Sequence, residues 1–225
     1  MLDVLYEDNH LLVVNKPAGL LVQGDATGDL TLPDLAKEYL REKYNKPGNI
    51  FVGVVHRLDR PVSGVVVLAK TSKALTRMNE LFRSNKTKKT YLAVSLKRPR
   101  QQEARLIHWL VKDAEKNITK AFTSEKPNSQ RAELSYTLLA QRENYYLMQV
   151  NPVTGRPHQI RVQLASQNSP IVGDVKYGAP ALLPDKRIAL HAYQLEFEHP
   201  VQKTQMKIKA PLPDVIPWKT FRNDF

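Results

Sequence analysis

The run GVVVLA at 64–69 restricts this chain more than any other stretch. Three successive valines carry β-branched side chains, and six apolar residues are too few for a buried helix, so the run reads as a buried strand. FVGVV at 51–55 is a second run of the same kind. The eight residues between them, HRLDRPVS, place His56, Arg57, Asp59 and Arg60 at the ends of two buried strands.

The remaining segments describe a mixed architecture. LDVLY and LLVVN read as strands split by the turn EDNH. TLPDLAKEYLREKY reads as a helix with Thr31 as cap, Pro33 in its first turn, and Leu32, Leu35, Ala36, Tyr39 and Leu40 along one face. TSKALTRMNELFRSN is a second helix, capped by Thr71 or Ser72, with Leu75, Met78, Leu81 and Phe82 facing inward. KKTYLAVSL returns to a strand, AELSYTLLAQ and YYLMQV form a hairpin, PHQIRVQLASQ fits a short third helix, and RIALHAYQLEF is a late strand. Strands outnumber helices and are often hairpin-linked. The expected class is α+β, a single domain over 1–225 with a large, mainly antiparallel mixed β-sheet flanked by helices and loops.

Lys and Arg total 34 against 22 Asp and Glu, a net charge of +12. A surface this basic suits a polyanion, because neutralising phosphates releases counterions. The plainer alternative is a basic soluble surface with no such partner. No uncharged apolar run approaches the length that spans a bilayer, and MLDVLYEDNH lacks the basic start of a secretion signal. Cysteine is absent, which removes disulfide and thiolate chemistry.

Four segments gather residues able to carry chemistry. In HRLDRPVSG, Asp59 sits at a strand end, a rigid mount for a carboxylate. On an extended chain Arg57 shares its face and Arg60 does not, so one Arg can hold the carboxylate ionised while the other meets a phosphate. In NPVTGRPHQIRVQL, a tight loop delivers Arg156, His158 and Arg161 around a helix start, a good anion site. In NKTKKTYLAV, Lys86, Lys88 and Lys89 precede Tyr91, which can stack on a base while its neighbours bind phosphates. In VVNKPAGLLVQG, Lys16 lies in a strand–turn–strand and can touch a phosphate. Each has a plainer alternative: a solvated turn, a basic loop docked on a carboxylate, an ordinary edge tyrosine, an exposed turn lysine. No phosphate-binding Gly-rich loop, dinucleotide fingerprint, metal-ligand spacing or serine-hydrolase elbow is present.

NKPAG (15–19), HRLDRPVSG (56–64), KTYLAV (89–94), TGRPHQIRVQL (154–164), PIVGDVKYG (170–178) and LHAYQLEFEHP (190–200) occur in that order. Together they resemble the motifs of the RluA-type pseudouridine synthases, over residues 6 to 200. One departure is Val62, where the family usually has Thr. The resemblance implies a stand-alone catalytic domain, without the S4 RNA-binding domain of many relatives, so that the basic surface itself must hold the RNA. It implies Asp59 as the catalytic carboxylate, Arg161 pairing with it, Tyr91 against the target base, and Arg57 pushing into the RNA stack as the uridine flips out. Arg60, Lys16, Lys86, Lys88, Lys89, Arg156 and His158 are the further RNA-contact candidates.

Isomerising uridine involves no net redox, so the resemblance implies no cofactor and no metal. The expected partner is ribosomal or transfer RNA, with no membrane, and the expected state is a cytoplasmic monomer. The rival reading is a catalytically inactive RNA-binding protein or RNA chaperone on the same fold. A glycosidase would want two carboxylates at its site and is poorly served here.

Overall fold

The computed structural model describes residues 2–45 and 47–224; Lys46, in the break NKPGN, lies outside the described residues. The class is α+β with mostly antiparallel strands. The strands are β1 (Val4–Glu7), β2 (Leu11–Lys16), β3 (Gly53–Val54), β4 (Ser63–Ala69), β5 (Lys88–Ser95), β6 (Glu103–Asp113), β7 (Ile118–Phe122), β8 (Gln130–Arg142), β9 (Tyr145–Pro152), β10 (Leu190–Glu198) and β11 (Gln205–Lys209). The helices are α1 (Leu32–Tyr44), α2 (Ser72–Arg83) and α3 (Gln159–Ser166). The chain divides into two compact units, Met1–Lys88 with Ala192–Pro211, and Lys89–His191 with Leu212–Phe225.

In the first unit β2 pairs antiparallel with β1 and with β4, β11 pairs with β10, and β3 pairs with the end of β4. All seven residues of β4 are buried, as a run of β-branched residues covered on both faces requires. Leu11, Val13, Val65, Val67, Met78 and Phe197 form the core on one side, with Leu75, Leu81 and Phe82 of α2 packed against it. Thr31 caps α1 through a reciprocal arrangement with Asp34, and Thr71 caps α2.

The strand expected over 51–55 is reduced to Gly53–Val54. Just past the Val54–Leu68 pair, His56 Nε2 accepts the Val67 amide at 3.1 Å, so a side chain takes the place of a strand neighbour. His56 also stacks on Phe82, ring centroids 4.7 Å apart. At the other end of the loop Gly64 has φ +118, and a Cβ there would collide with the backbone of Ala192 in β10.

In the second unit the strand order is β5-β9-β8-β6-β7, each neighbouring pair antiparallel. The hairpin expected at 132–150 is β8–β9. Strands β6, β7 and β11 were not anticipated; EARLIHWLVKD mixes charges into its alternation, and β7 and β11 are five residues each. Helix α3 packs on β6 and β7, where Val162 meets Leu110 and Ala132. Gln163 Nε2 donates to the Leu106 carbonyl at 3.2 Å on the same side.

Candidate active site

In the first unit the site segment is the loop between β3 and β4. Asp59 is half-buried, and its carbonyl accepts the Val62 amide at 3.0 Å, which closes a tight turn. The Val62 side chain is buried, so the residue that departs from the family pattern anchors this turn from below.

Lys16 was expected at a phosphate or in an exposed turn, and the structure corrects both readings. It is fully buried, and its ammonium donates to the carbonyls of Pro17 at 2.9 Å, Leu20 at 2.8 Å and Arg60 at 3.3 Å. One side chain thus ties the NKPAG turn to the loop that carries Asp59. Burial pushes its pKa down to about 7; the Asp59 carboxylate opposes that shift and the Arg60 charge adds to it.

This arrangement gives stability a pH dependence with a defined sign. An unfolded lysine keeps its proton to about 10.5, so between about 7 and that value the unfolded chain binds more protons. Stability is therefore expected to rise from pH 7 to pH 9, by at most about 1.4 kcal/mol per pH unit from this group. Urea unfolding of the wild type and Lys16→Met at pH 7, 8 and 9 checks it: the variant should lose the rise, and equal slopes would refute the shifted ammonium.

The two arginines of HRLDR have different surroundings. Arg60 is exposed yet committed to the protein, with Nε donating to the Gly19 carbonyl at 3.0 Å and Nη2 paired with Asp29 at 2.7 Å. It braces the NKPAG turn from outside as Lys16 does from within. Arg57 is exposed and donates to the side-chain amide oxygen of Gln23. Lys86 and Lys88 are exposed, Lys88 facing Glu196 at 3.7 Å.

In the second unit Tyr91 stands near the start of β5, directly opposite Val150, half-buried between buried Thr90 and Leu92. Lys89 before it is also half-buried, and burial lowers its pKa. Arg161 lies in the first turn of α3 and is 5% exposed. Its guanidinium grips Asp174 side-on, Nε to Oδ2 at 2.7 Å and Nη2 to Oδ1 at 2.8 Å, and sits 5.1 Å from the Tyr177 ring centroid. Gly173, with φ +87, makes Asp174's approach possible, because a Cβ there would lie 2.6 Å from the Arg187 carbonyl.

The helix start expected to bind an anion is occupied by protein groups. Arg161 is matched by Asp174. His158, in the left-handed region at φ 54, holds the Tyr177 hydroxyl 2.7 Å from its Nδ1. That hydroxyl also accepts the Thr119 amide at 2.9 Å. Arg156 remains exposed, with its Nε on the Arg131 carbonyl at 3.2 Å. Asp174 and Tyr177 were missed as site residues, although PIVGDVKYG holds both. Their link to Arg161 joins residues 13 and 16 apart, beyond any local spacing rule.

Comparison with known proteins identifies the family. The family described as RNA pseudouridylate synthase matches residues 10–166. The chain is similar to a protein named tRNA pseudouridine synthase C from Vibrio cholerae serotype O1, 32% identical over all of this chain and 96% of that one. It is similar also to a ribosomal large subunit pseudouridine synthase C from Buchnera aphidicola, 35% identical over 95% of this chain and 68% of that one. Among solved structures it resembles human RNA pseudouridylate synthase domain containing 4, with TM-score 0.78 and 26% identity over 94% of this chain and 89% of that one.

Proposed function

We propose, from the premise that this chain belongs to the RNA pseudouridylate synthase family and isomerises uridine in RNA, that Asp59 is the carboxylate that performs the reaction. The reaction breaks the N1–C1′ bond of a uridine, turns the freed uracil and joins it to C1′ through C5, whose proton is lost. Asp59 attacks C1′ to hold the sugar covalently, or takes the C2′ proton to give a glycal; either route needs a carboxylate on a fixed mount. The observation that carries this reading is the double fastening of the Asp59 loop, by buried Lys16 from beneath and by the buried Val62 within its turn.

The other roles follow the chemistry of each group. Tyr91 lies against the target base and takes or directs the C5 proton. Arg161, set in place by Asp174, is the cation that pairs with Asp59. Arg57 fills the space left by the flipped uridine; flipping costs a few kcal/mol, and its exposed guanidinium gives up only a neutral amide partner to do so. Lys86, Lys88 and Arg156 contact phosphates, with Arg60 and Lys16 shaping the loop rather than touching RNA. The substrate is ribosomal or transfer RNA, and the whole of 1–225 acts as one catalytic module, a monomer in the cytoplasm. The family match over residues 10–166 supports the catalytic module, and the +12 net charge supports the RNA substrate.

The test is release of tritium from RNA labelled at C5 of uridine. Ribosomal and transfer RNA from cells lacking the protein should release tritium when it is added, at sites that pseudouridine mapping then identifies. No release from either RNA would overturn the substrate assignment.

A further inference from the structure

One face of the second unit has no role in this scheme. Along β6 the side chains alternate: Leu106, His108 and Leu110 are buried toward α3, while Arg105, Ile107, Trp109 and Val111 point the opposite way. The register sets Trp109 directly between Phe122 of β7 and Arg131 of β8, and Val111 beside Lys120. Ile107 is 36% exposed, Trp109 and Phe122 are half-buried, and Lys120 is exposed.

The charges on this face are held in place. Glu133, its side chain 9% exposed, takes Arg105 at 2.6 Å on one oxygen and Arg131 at 2.7 Å on the other, leaving their side chains 66% and 48% exposed. Strand β9 ends at Pro152, opposite Leu134, so the Arg131 carbonyl beyond it is open to Arg156, which adds a further guanidinium. From Arg105 to Val111 and across to their partners, Arg105, Arg131 and Lys120 are opposed by Glu133 alone.

We propose that this face docks a single-stranded segment of the RNA, with Trp109 and Phe122 stacking on unpaired bases and Arg105, Arg131 and Lys120 meeting the phosphates. The inference rests on the reading of the chain as an enzyme acting on RNA. Charge selects the partner: an excess of guanidinium and ammonium groups around two aromatic side chains complements a polyanion whose repeating units each carry a π-face. A flat sheet can stack only bases that are not already paired, which selects loops and single strands over duplex. An acidic protein would satisfy the arginines but leave Trp109 and Phe122 without the stacking that their neighbourhood favours.

The probe is an oligouridylate of about twelve nucleotides, within the reach of one such surface. Trp109→Ala should weaken its binding about tenfold, and Trp109→Phe should keep most of the affinity. The other tryptophan, Trp218, is 2% exposed, so quenching of intrinsic fluorescence on binding should come from Trp109 and vanish in Trp109→Phe. Arg105→Gln with Arg131→Gln should flatten the salt dependence of log affinity by about 1.4, two charges at 0.7 each. Because those arginines also serve Glu133, the exposed Lys120→Gln repeats the test at lower risk to the fold, with an expected flattening of about 0.7.

Unchanged affinity, slope and quenching would overturn the proposal. A dimer that Trp109→Ala dissociates would overturn it too, by giving the face to a second copy of the chain. Failure of the functional reading looks different: the wild type would release no tritium, while oligouridylate binding still responded to Trp109.

Discussion

Asp59→Asn is expected to stop tritium release, by more than about 10^3-fold, while the protein still folds and still binds RNA. The amide has nearly the shape of the carboxylate but can neither attack C1′ nor accept the C2′ proton. The turn itself survives the change, because the bond that closes it runs from the Val62 amide to the Asp59 backbone carbonyl. A second readout moves with the charge. The Asp59 carboxylate favours the Lys16 ammonium, so its removal should lower the Lys16 pKa further and shift the onset of the rise in stability below pH 7. Turnover at the wild-type rate in Asp59→Asn would remove Asp59 from the chemistry altogether.

Asp174→Asn and Arg161→Ala should each cost about 3–5 kcal/mol, because either change removes one partner of a buried ion pair. For a chain of this size that corresponds to a fall in melting temperature of about 6–20 °C. The contact is buried and two-pronged, with Arg161 and Asp174 side chains 6% and 1% exposed, so solvent screening offers little relief. The double variant Arg161→Met with Asp174→Leu separates stability from catalysis. It should recover much of the melting temperature, since apolar side chains can replace a buried pair, but should recover none of the tritium release. Normal melting of both single variants would refute the pair as a structural element. Restored activity in the double variant would refute Arg161 as the support of Asp59.

The elements most legible in the sequence were those whose pattern is local. Thr31 and Thr71 announced their helices because capping is settled within three residues. The valines of β4 announced a strand covered on both faces. What stayed hidden depends on partners far along the chain. Lys16 looked like a surface lysine because nothing in NKPAG tells that the Arg60 carbonyl will lie over its ammonium. Arg161 was visible as a site residue through its motif, but Asp174, the partner that neutralises it, was not assigned to it. The face of β6 escaped for another reason: Arg105 and His108 fall on opposite sides of one strand, and only the register shows which of them joins Trp109.

The stretch from Val22 to Leu30 has a consequence of its own. Its ends are secured, by Lys16 on the Leu20 carbonyl and by the bridge between Leu21 and Thr31, while residues 23–30 turn their side chains outward. Gln23, the partner of Arg57, belongs to that outward span. Mutations there alter what stands beside Arg57 without touching a core residue or a strand pair. The surroundings of Arg57 can therefore be changed without disturbing the core, from a span whose two ends stay fixed.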